Sequence, residues 1–128
     1  LGNARVISMT RMIKLEMKFG NPYGSDALSY IQNGLLPQLL YTYEDQDDAT
    51  ISVREPPCEV RNNKLVWAAM SFWVDMNELQ VLRVTQQGER VFLLLLTTEG
   101  PDVGKNEEAF LETFDSVVIR DIDRARLF

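Results

Sequence analysis

The feature that most constrains the fold is a run of six apolar residues at positions 91–96, the most apolar stretch of the chain. Two threonines follow the run, and glycines at positions 88 and 100 bound it on either side. A short apolar run between such turn residues is typical of a buried strand and is too short for a buried helix. We therefore predict the central strand of a sheet over residues 91–98.

Other segments also have the composition of strands. Over residues 7–19 the odd positions are apolar apart from Arg11 and the even ones mostly polar, which predicts a long strand with one buried face. The other predicted strands are 50–53, 58–61, 64–74 and 79–85. Pro56-Pro57 is expected to end the first of these, and Asn62-Asn63 to form a hairpin turn after the second. The segment 64–74 is apolar on both faces at its centre, so we expect it to be covered on both sides.

Two helices complete the pattern. Ser25 is a suitable N-cap for the first helix. Pro37 lacks a backbone donor, so this helix should end near Leu36 or restart for one turn after it. Asn106 is the predicted N-cap of the second helix, whose inner face is expected to be Phe110, Leu111 and Phe114.

The order of these elements is strand, helix, several strands and helix. It predicts an α+β fold in which two principal helices pack on an antiparallel meander. The 128 residues fit a single domain, 1–128, and contain no internal repeat, low-complexity tract or linker.

Histidine is absent from the chain, and cysteine occurs once, as Cys58. Ser-His-Asp and Cys-His catalysis and histidine-based zinc sites are thereby excluded, while catalysis by a carboxylate, lysine or tyrosine stays open. We expect neither an enzyme nor a cofactor. The net charge of −6 argues against nucleic acid or an anionic membrane as a partner. No apolar run is long enough to span a bilayer.

Particular residues stand out in the strand 79–85, the turn 86–90 of sequence QQGER, the strand 91–98 and the closing FLETFDSV of residues 110–117. Together with the order of the elements, they resemble the PsbP-like fold family, and the match covers most of the chain in order. This family includes the extrinsic PsbP proteins of photosystem II, a Ran-binding import cofactor, and bacterial lipoproteins and secretion chaperones.

The resemblance implies a binding role, because members of this family mostly bind proteins or act as assembly factors. The chain departs from the family in two ways. The opening strand pair with a Gly-Trp step is missing, and Val117 stands where the family has an aromatic residue. A rival fold, the NTF2-like cone, normally places its long helix before the first strand.

Aromatic residues are the candidates for a binding surface, since tyrosine suits protein interfaces with one apolar and one polar end. The predicted partner contacts are Tyr23, Tyr30, Tyr41 and Tyr43 around the first helix, and Trp73 near a strand end. Trp67 and Phe72 are candidates for the wall of a ligand pocket. The alternative for Trp67 is that its side chain fills the core. The alternative for the tyrosines is that they are half-buried and have structural roles.

The densest charge cluster is the stretch 44–48. Its four carboxylates belong to Glu44, Asp45, Asp47 and Asp48. Hard cations such as Ca²⁺ take several oxygen ligands, so this stretch is a candidate metal site. It lacks the residue order of an EF-hand, and a solvated acidic turn is the alternative.

The leading interpretation is a non-enzymatic binding domain with a protein partner, such as an assembly factor, a chaperone or an envelope-associated protein. The alternatives are a small-ligand pocket, an enzyme that uses a carboxylate or tyrosine, and a calcium-dependent module. A homodimer through a sheet edge is compatible with the sequence. We expect a soluble chain. Its first residue is Leu1 and not methionine, which leaves room for an exported, organellar or envelope-associated protein whose targeting segment has been removed.

Overall fold

A computed structural model describes residues 11–62 and 64–119. Within them one antiparallel sheet contains β1 Arg11–Phe19, β2 Ile51–Asn62, β3 Leu65–Val74, β4 Glu78–Gln87 and β5 Arg90–Glu99. One helix follows β1 and another follows β5. The predicted α+β class and the order strand, helix, strands, helix are therefore confirmed.

The strands are ordered β1-β5-β4-β3-β2 across the sheet. β4 is the middle strand, whereas β5, predicted to be the central one, is an interior strand next to the edge. β1 pairs with β5, with Ile13 opposite Leu96 and Met17 opposite Phe92. The first helix therefore carries the chain from one edge of the sheet to the other. Residues 7–10 of the predicted first strand and Asn63 of the predicted hairpin turn lie outside the described residues.

The first helix occupies residues 27–46 and alternates between α-helical and π-helical turns. Its parts are α1 Ala27–Tyr30, a π-helical turn Ile31–Leu35, α2 Leu36–Leu40 and a second π-helical turn Tyr41–Gln46. The helix neither ends near Leu36 nor restarts for only one turn, so both alternatives of the prediction were wrong. Pro37 lies in the first turn of α2, where a missing backbone donor is tolerated, so the helix continues past it.

The N-terminal caps of both helices also differ from the prediction. Asp26 and not Ser25 caps α1, because the Asp26 carboxylate accepts a hydrogen bond from the backbone N–H of Ser29. The second helix, α3 Val103–Ser116, begins one turn before Asn106. The Asn106 amide instead donates to the Thr98 hydroxyl at 2.8 Å, which ties α3 to β5.

The proline pair does not end β2, contrary to prediction. Pro56 and Pro57 lie inside Ile51–Asn62, where the pairing with β3 shifts register on either side of Glu55. β2 is an edge strand, and a bulge there accommodates residues that cannot donate to the ladder.

Two hydrophobic cores lie on opposite faces of the sheet. The first-helix core includes Ile31, Met70, Phe72, Val84 and Leu93. The α3 core includes Trp67, Leu79, Leu94, Phe110 and Phe114. β3, β4 and β5 supply both cores because successive side chains of a strand point to opposite faces. The predicted covering of residues 64–74 on both sides is confirmed at the centre of β3. Leu111, predicted to face inward, is 37% exposed.

Candidate binding surfaces

The predicted tyrosine surface is divided between the two ends of the first helix. Tyr23 packs edge-to-face on Tyr30, with ring centroids 5.4 Å apart, and Tyr30 is buried in the first-helix core. Tyr43 packs on Phe72 with ring centroids 6.3 Å apart. Tyr23 and Tyr41 keep exposed rings. The four side chains therefore form no single surface, and Tyr30 has a packing role.

Trp67 and Phe72, the predicted pocket wall, are both fully buried. They point to opposite faces of the sheet and belong to different cores. Trp67 packs edge-to-face on Phe114 with ring centroids 5.1 Å apart. The two side chains consequently line no common pocket. Trp67 is one of the residues that line a cavity of about 280 Å³ beside the start of the first helix, and Phe72 does not contribute to that cavity. Trp73 is half-buried at the margin of the α3 core.

The acidic stretch ends the first helix and leads toward β2. Its carboxylates, Glu44, Asp45, Asp47 and Asp48, all lie on exposed residues. Glu44 accepts a hydrogen bond from the backbone N–H of Ile51 at 3.4 Å. In the part of the chain that the structure describes, no three acidic or cysteine side chains converge as a metal site requires.

An exposed apolar surface lies instead on the α3 side of β1, where the sequence predicted a buried face. We call it the β1 apolar patch; it consists of Leu15, Met17, Phe19, Phe92 and Val118. The exposed fractions are 60% for Leu15, 46% for Met17, 74% for Phe19 and 67% for Val118. Only Ile13, among the odd apolar positions described in β1, packs against the α3 core.

The β1 apolar patch is exposed because α3 ends at Ser116. Beyond that point residues 117–119 border a groove of about 250 Å³, with Leu15, Met17 and Phe92 on its other sides. Arg90 also lines this groove, with its guanidinium 5.8 Å from the centroid of the Phe92 ring. The pattern of alternating residues correctly indicated an apolar face but not what would cover it.

A second groove, also of about 250 Å³, lies on the opposite face between β1 and the first helix. We call it the helix-side groove; its lining includes Met12, Lys14, Glu16, Lys18, Leu35, Leu39, Leu82, Leu93 and Leu95. Lys14 Nζ lies 2.7 Å from Glu16 Oε1. The hydrogen bond from Lys14 lowers the pKa of Glu16, and the positive charges of Lys14 and Lys18 act in the same direction. These residues occupy the even, mostly polar positions of the predicted strand, and the sequence did not indicate a groove there.

A set of charged side chains that the sequence pattern did not indicate lies beneath α3. We call it the α3 ionic network; it consists of Arg54, Glu55, Ser71, Arg83 and Glu107. Arg54 makes a bidentate ion pair with Glu107, with Nη1 at 2.9 Å from Oε1. Its Nε also donates to the Ser71 hydroxyl at 3.0 Å. The ion pair lowers the pKa of Glu107 and raises that of Arg54.

Arg83 is the most buried charged residue of the described chain, at 7% exposed. Its Nη1 lies 3.5 Å from Glu55 Oε1, and its guanidinium carbon lies 5.3 Å from the Phe114 ring centroid. Burial lowers the pKa of Arg83. Arg83 and Arg54 each face a carboxylate, so the network joins α3 to β2 and β4. The sequence signal was Arg83 itself, a charge at an inward position between the apolar residues Leu82 and Val84.

The comparisons with known proteins concern the fold. No family model matches the chain, and no curated protein matches it either. Cyanobacterial PsbP from Synechocystis sp. PCC 6803 superposes with a TM-score of 0.66 at 10% identity, over 90% of this chain and 71% of that one. PA94 from Pseudomonas aeruginosa, a protein of unknown function, superposes with a TM-score of 0.50 at 10% identity, over 85% of each chain.

An identity of 10% makes these likenesses statements about architecture. The helices of the described chain are too short or too polar to span a lipid bilayer. The arrangement of the sheet, the crossing first helix and the closing α3 agrees with the resemblance found in sequence. The chain has a PsbP-like fold.

Proposed function

We propose that this chain is a non-enzymatic domain that binds another protein through the β1 apolar patch. The observation that carries the proposal is the exposure of Phe19, Leu15 and Met17 side by side along an edge strand. Scattered apolar residues are normal on a protein surface, but a contiguous apolar patch marks an interaction site. Assembly factors and chaperones are proteins that present such a surface to a partner.

The chemistry of the interior supports binding over catalysis. The buried cation Arg83 faces Glu55, and the Arg54–Glu107 pair is bidentate. Paired charges of this kind hold elements together, whereas general acid–base catalysis requires a group poised to exchange a proton with a substrate.

An exported or envelope-associated location belongs to the same proposal.

The edge strand adds a second support. A partner that lies against Leu15 and Phe19 would also adjoin the backbone of β1, which pairs with β5 on one side only among the described strands. Edge strands readily accept an added strand through main-chain hydrogen bonds, while alternate side chains supply specificity. Lys14 and Lys18 on the other side of β1 limit indiscriminate pairing, because charged side chains blunt an edge.

The test is site-specific photocrosslinking in cells of the source organism, with soluble and envelope fractions analysed separately. Benzoylphenylalanine replaces Phe19 in the patch, Tyr41 in the tyrosine region, or Val53, which is 49% exposed on the opposite edge strand. We expect a discrete protein adduct from position 19 and none from position 53. Leu15→Glu should abolish the adduct from position 19, while Val53→Glu should leave it intact.

The other outcomes are equally informative. An adduct from position 41 alone would move the site to the tyrosine region, and adducts shared by positions 19 and 53 would mean nonspecific contact. An adduct of two copies of this chain would make the patch a homodimer interface. The absence of any adduct from position 19 would contradict the proposal.

A further inference from the structure

We propose that the helix-side groove binds the aliphatic chain of a fatty acid and that Lys18 holds its carboxylate. This site lies on the face of β1 opposite the β1 apolar patch, so it is separate from the proposed protein-binding surface. The inference rests on the apolar floor of the groove, the charges on its rim and its size.

The floor and one wall of the groove are aliphatic. Leu82 and Leu93 are buried beneath it, and Leu95 is half-buried. Leu35 and Leu39 of the first helix form the wall, and both are half-buried although they point toward the core. An apolar chain in the groove would cover the surface that these leucines leave in water, which is favourable in proportion to the area covered.

The rim of the groove is cationic on the β1 side. Two lysines, Lys14 and Lys18, and one carboxylate, that of Glu16, line this side of the groove. The β1 side is therefore positively charged although the net charge of the whole chain is −6. Glu16 is paired with Lys14, and Lys18 has no ion pair within the described residues. An anionic head group is therefore favoured at the Lys18 end of the groove.

The other elements around the groove do not cancel this charge. Between Asp26 and Glu44 the first helix has no charged residue, so its wall is neutral. At the far end Gln80 donates to the Tyr43 hydroxyl at 2.7 Å and to Glu78 at 2.7 Å. The groove thus has a cationic end at Lys18 and a polar end that includes the Glu78 carboxylate. This difference in charge should orient a fatty acid with its carboxylate toward Lys18.

The size of the groove selects a single chain. Its volume of about 250 Å³ is below the usual range for pockets that enclose drug-sized ligands, roughly 300–1,000 Å³. A two-chain phospholipid exceeds this volume, whereas one medium-length aliphatic chain fits it.

The experiment is a titration of the whole chain with decanoate below its micelle concentration, followed by calorimetry and by NMR of the leucine and valine methyl groups. We expect saturable binding that shifts the methyl signals of Leu35, Leu39 and Leu95 and leaves Val118 unchanged. Decanol has the same chain without the charge. It should bind more weakly, by about two- to fivefold for one exposed ion pair.

Three variants separate the role of charge from a structural effect. Lys18→Gln should weaken decanoate binding by about two- to fivefold, while Lys105→Gln, an exposed lysine on α3, should leave it unchanged. Glu16→Gln removes the opposing carboxylate and frees Lys14, so it should tighten binding. A variant that merely disturbed the fold would not improve the affinity.

The proposal is overturned if decanoate does not bind, if decanol binds as tightly, or if Lys18→Gln and Glu16→Gln have no effect. It is also overturned if the shifted methyl groups are those of Leu15 and Val118, which would place the ligand in the groove on the other face. None of these results bears on the crosslink from Phe19, so the two proposals fail independently.

Discussion

At the scale of single residues, the α3 ionic network explains how a charged side chain fits inside this sheet. Taking the guanidinium of Arg83 out of water is costly, and the cost is offset by Glu55 and by the rings of Phe110 and Phe114. The period of the strand marks position 83 as inward-facing. It does not reveal the partners, because Glu55 lies on a strand whose bulge the sequence did not indicate.

The Arg54–Glu107 pair makes stability dependent on pH. The pKa of Glu107 is lower in the folded chain than in the unfolded one. The ion pair therefore stabilises the fold in full when the pH is above the pKa of Glu107 in the unfolded chain. This stabilisation is lost as the pH falls through the pKa of Glu107 in the folded chain. We expect Glu107→Gln to lower the free energy of unfolding by about 0.5–1 kcal/mol at pH 7. Urea denaturation between pH 7 and pH 3 should show this difference from wild type shrinking below about pH 4.3, the usual pKa of glutamate.

The matched control is Glu108→Gln, which removes the same charge from the next, exposed position of α3. It should change the free energy of unfolding by less than Glu107→Gln at pH 7, because Arg54 binds Glu107. A wild-type advantage over Glu107→Gln that stays constant from pH 7 to pH 3 would refute the assigned role of this ion pair.

At the scale of elements, β1 separates what the sequence can predict from what it cannot. Its alternation predicted both the strand and its apolar side, and the structure has that strand at Arg11–Phe19. The burial of that side depends on how far α3 extends, and α3 ends at Ser116. Periodicity within one segment contains no information about the length of another, so the β1 apolar patch could not be predicted.

The exposure of the β1 apolar patch can be tested by replacing two leucines that are opposite each other on neighbouring strands. Leu15 on β1 pairs with Leu94 on β5, and their exposed fractions are 60% and 2%. Leu94→Ala should lower the free energy of unfolding by about 2–5 kcal/mol, because it leaves a cavity in the α3 core. Leu15→Ala should change it by no more than about 0.5 kcal/mol. Equal losses in the two variants, measured by urea denaturation, would mean that Leu15 is buried in solution.

At the scale of the whole molecule, the order of elements was predictable because each has a local signature. Residues 91–98 and 79–85 have a strand pattern, and Phe110 and Phe114 have a helical spacing that matches α3. The grooves beside β1 were not predictable, because each is formed by segments far apart in sequence. The helix-side groove, for example, is lined by Lys18 of β1, Leu39 of the first helix and Leu93 of β5.

The two cores should unfold together, because β3, β4 and β5 contribute side chains to both. Met70 belongs to the first-helix core, while the tryptophans Trp67 and Trp73 lie with the α3 core. Met70→Ala should lower the free energy of unfolding by about 2–5 kcal/mol. Because the strands are shared, tryptophan fluorescence on the opposite face should report the same shift of the denaturation midpoint as far-ultraviolet circular dichroism. A fluorescence midpoint that stays at the wild-type value would show instead that the α3 side of the sheet is stable without the first helix.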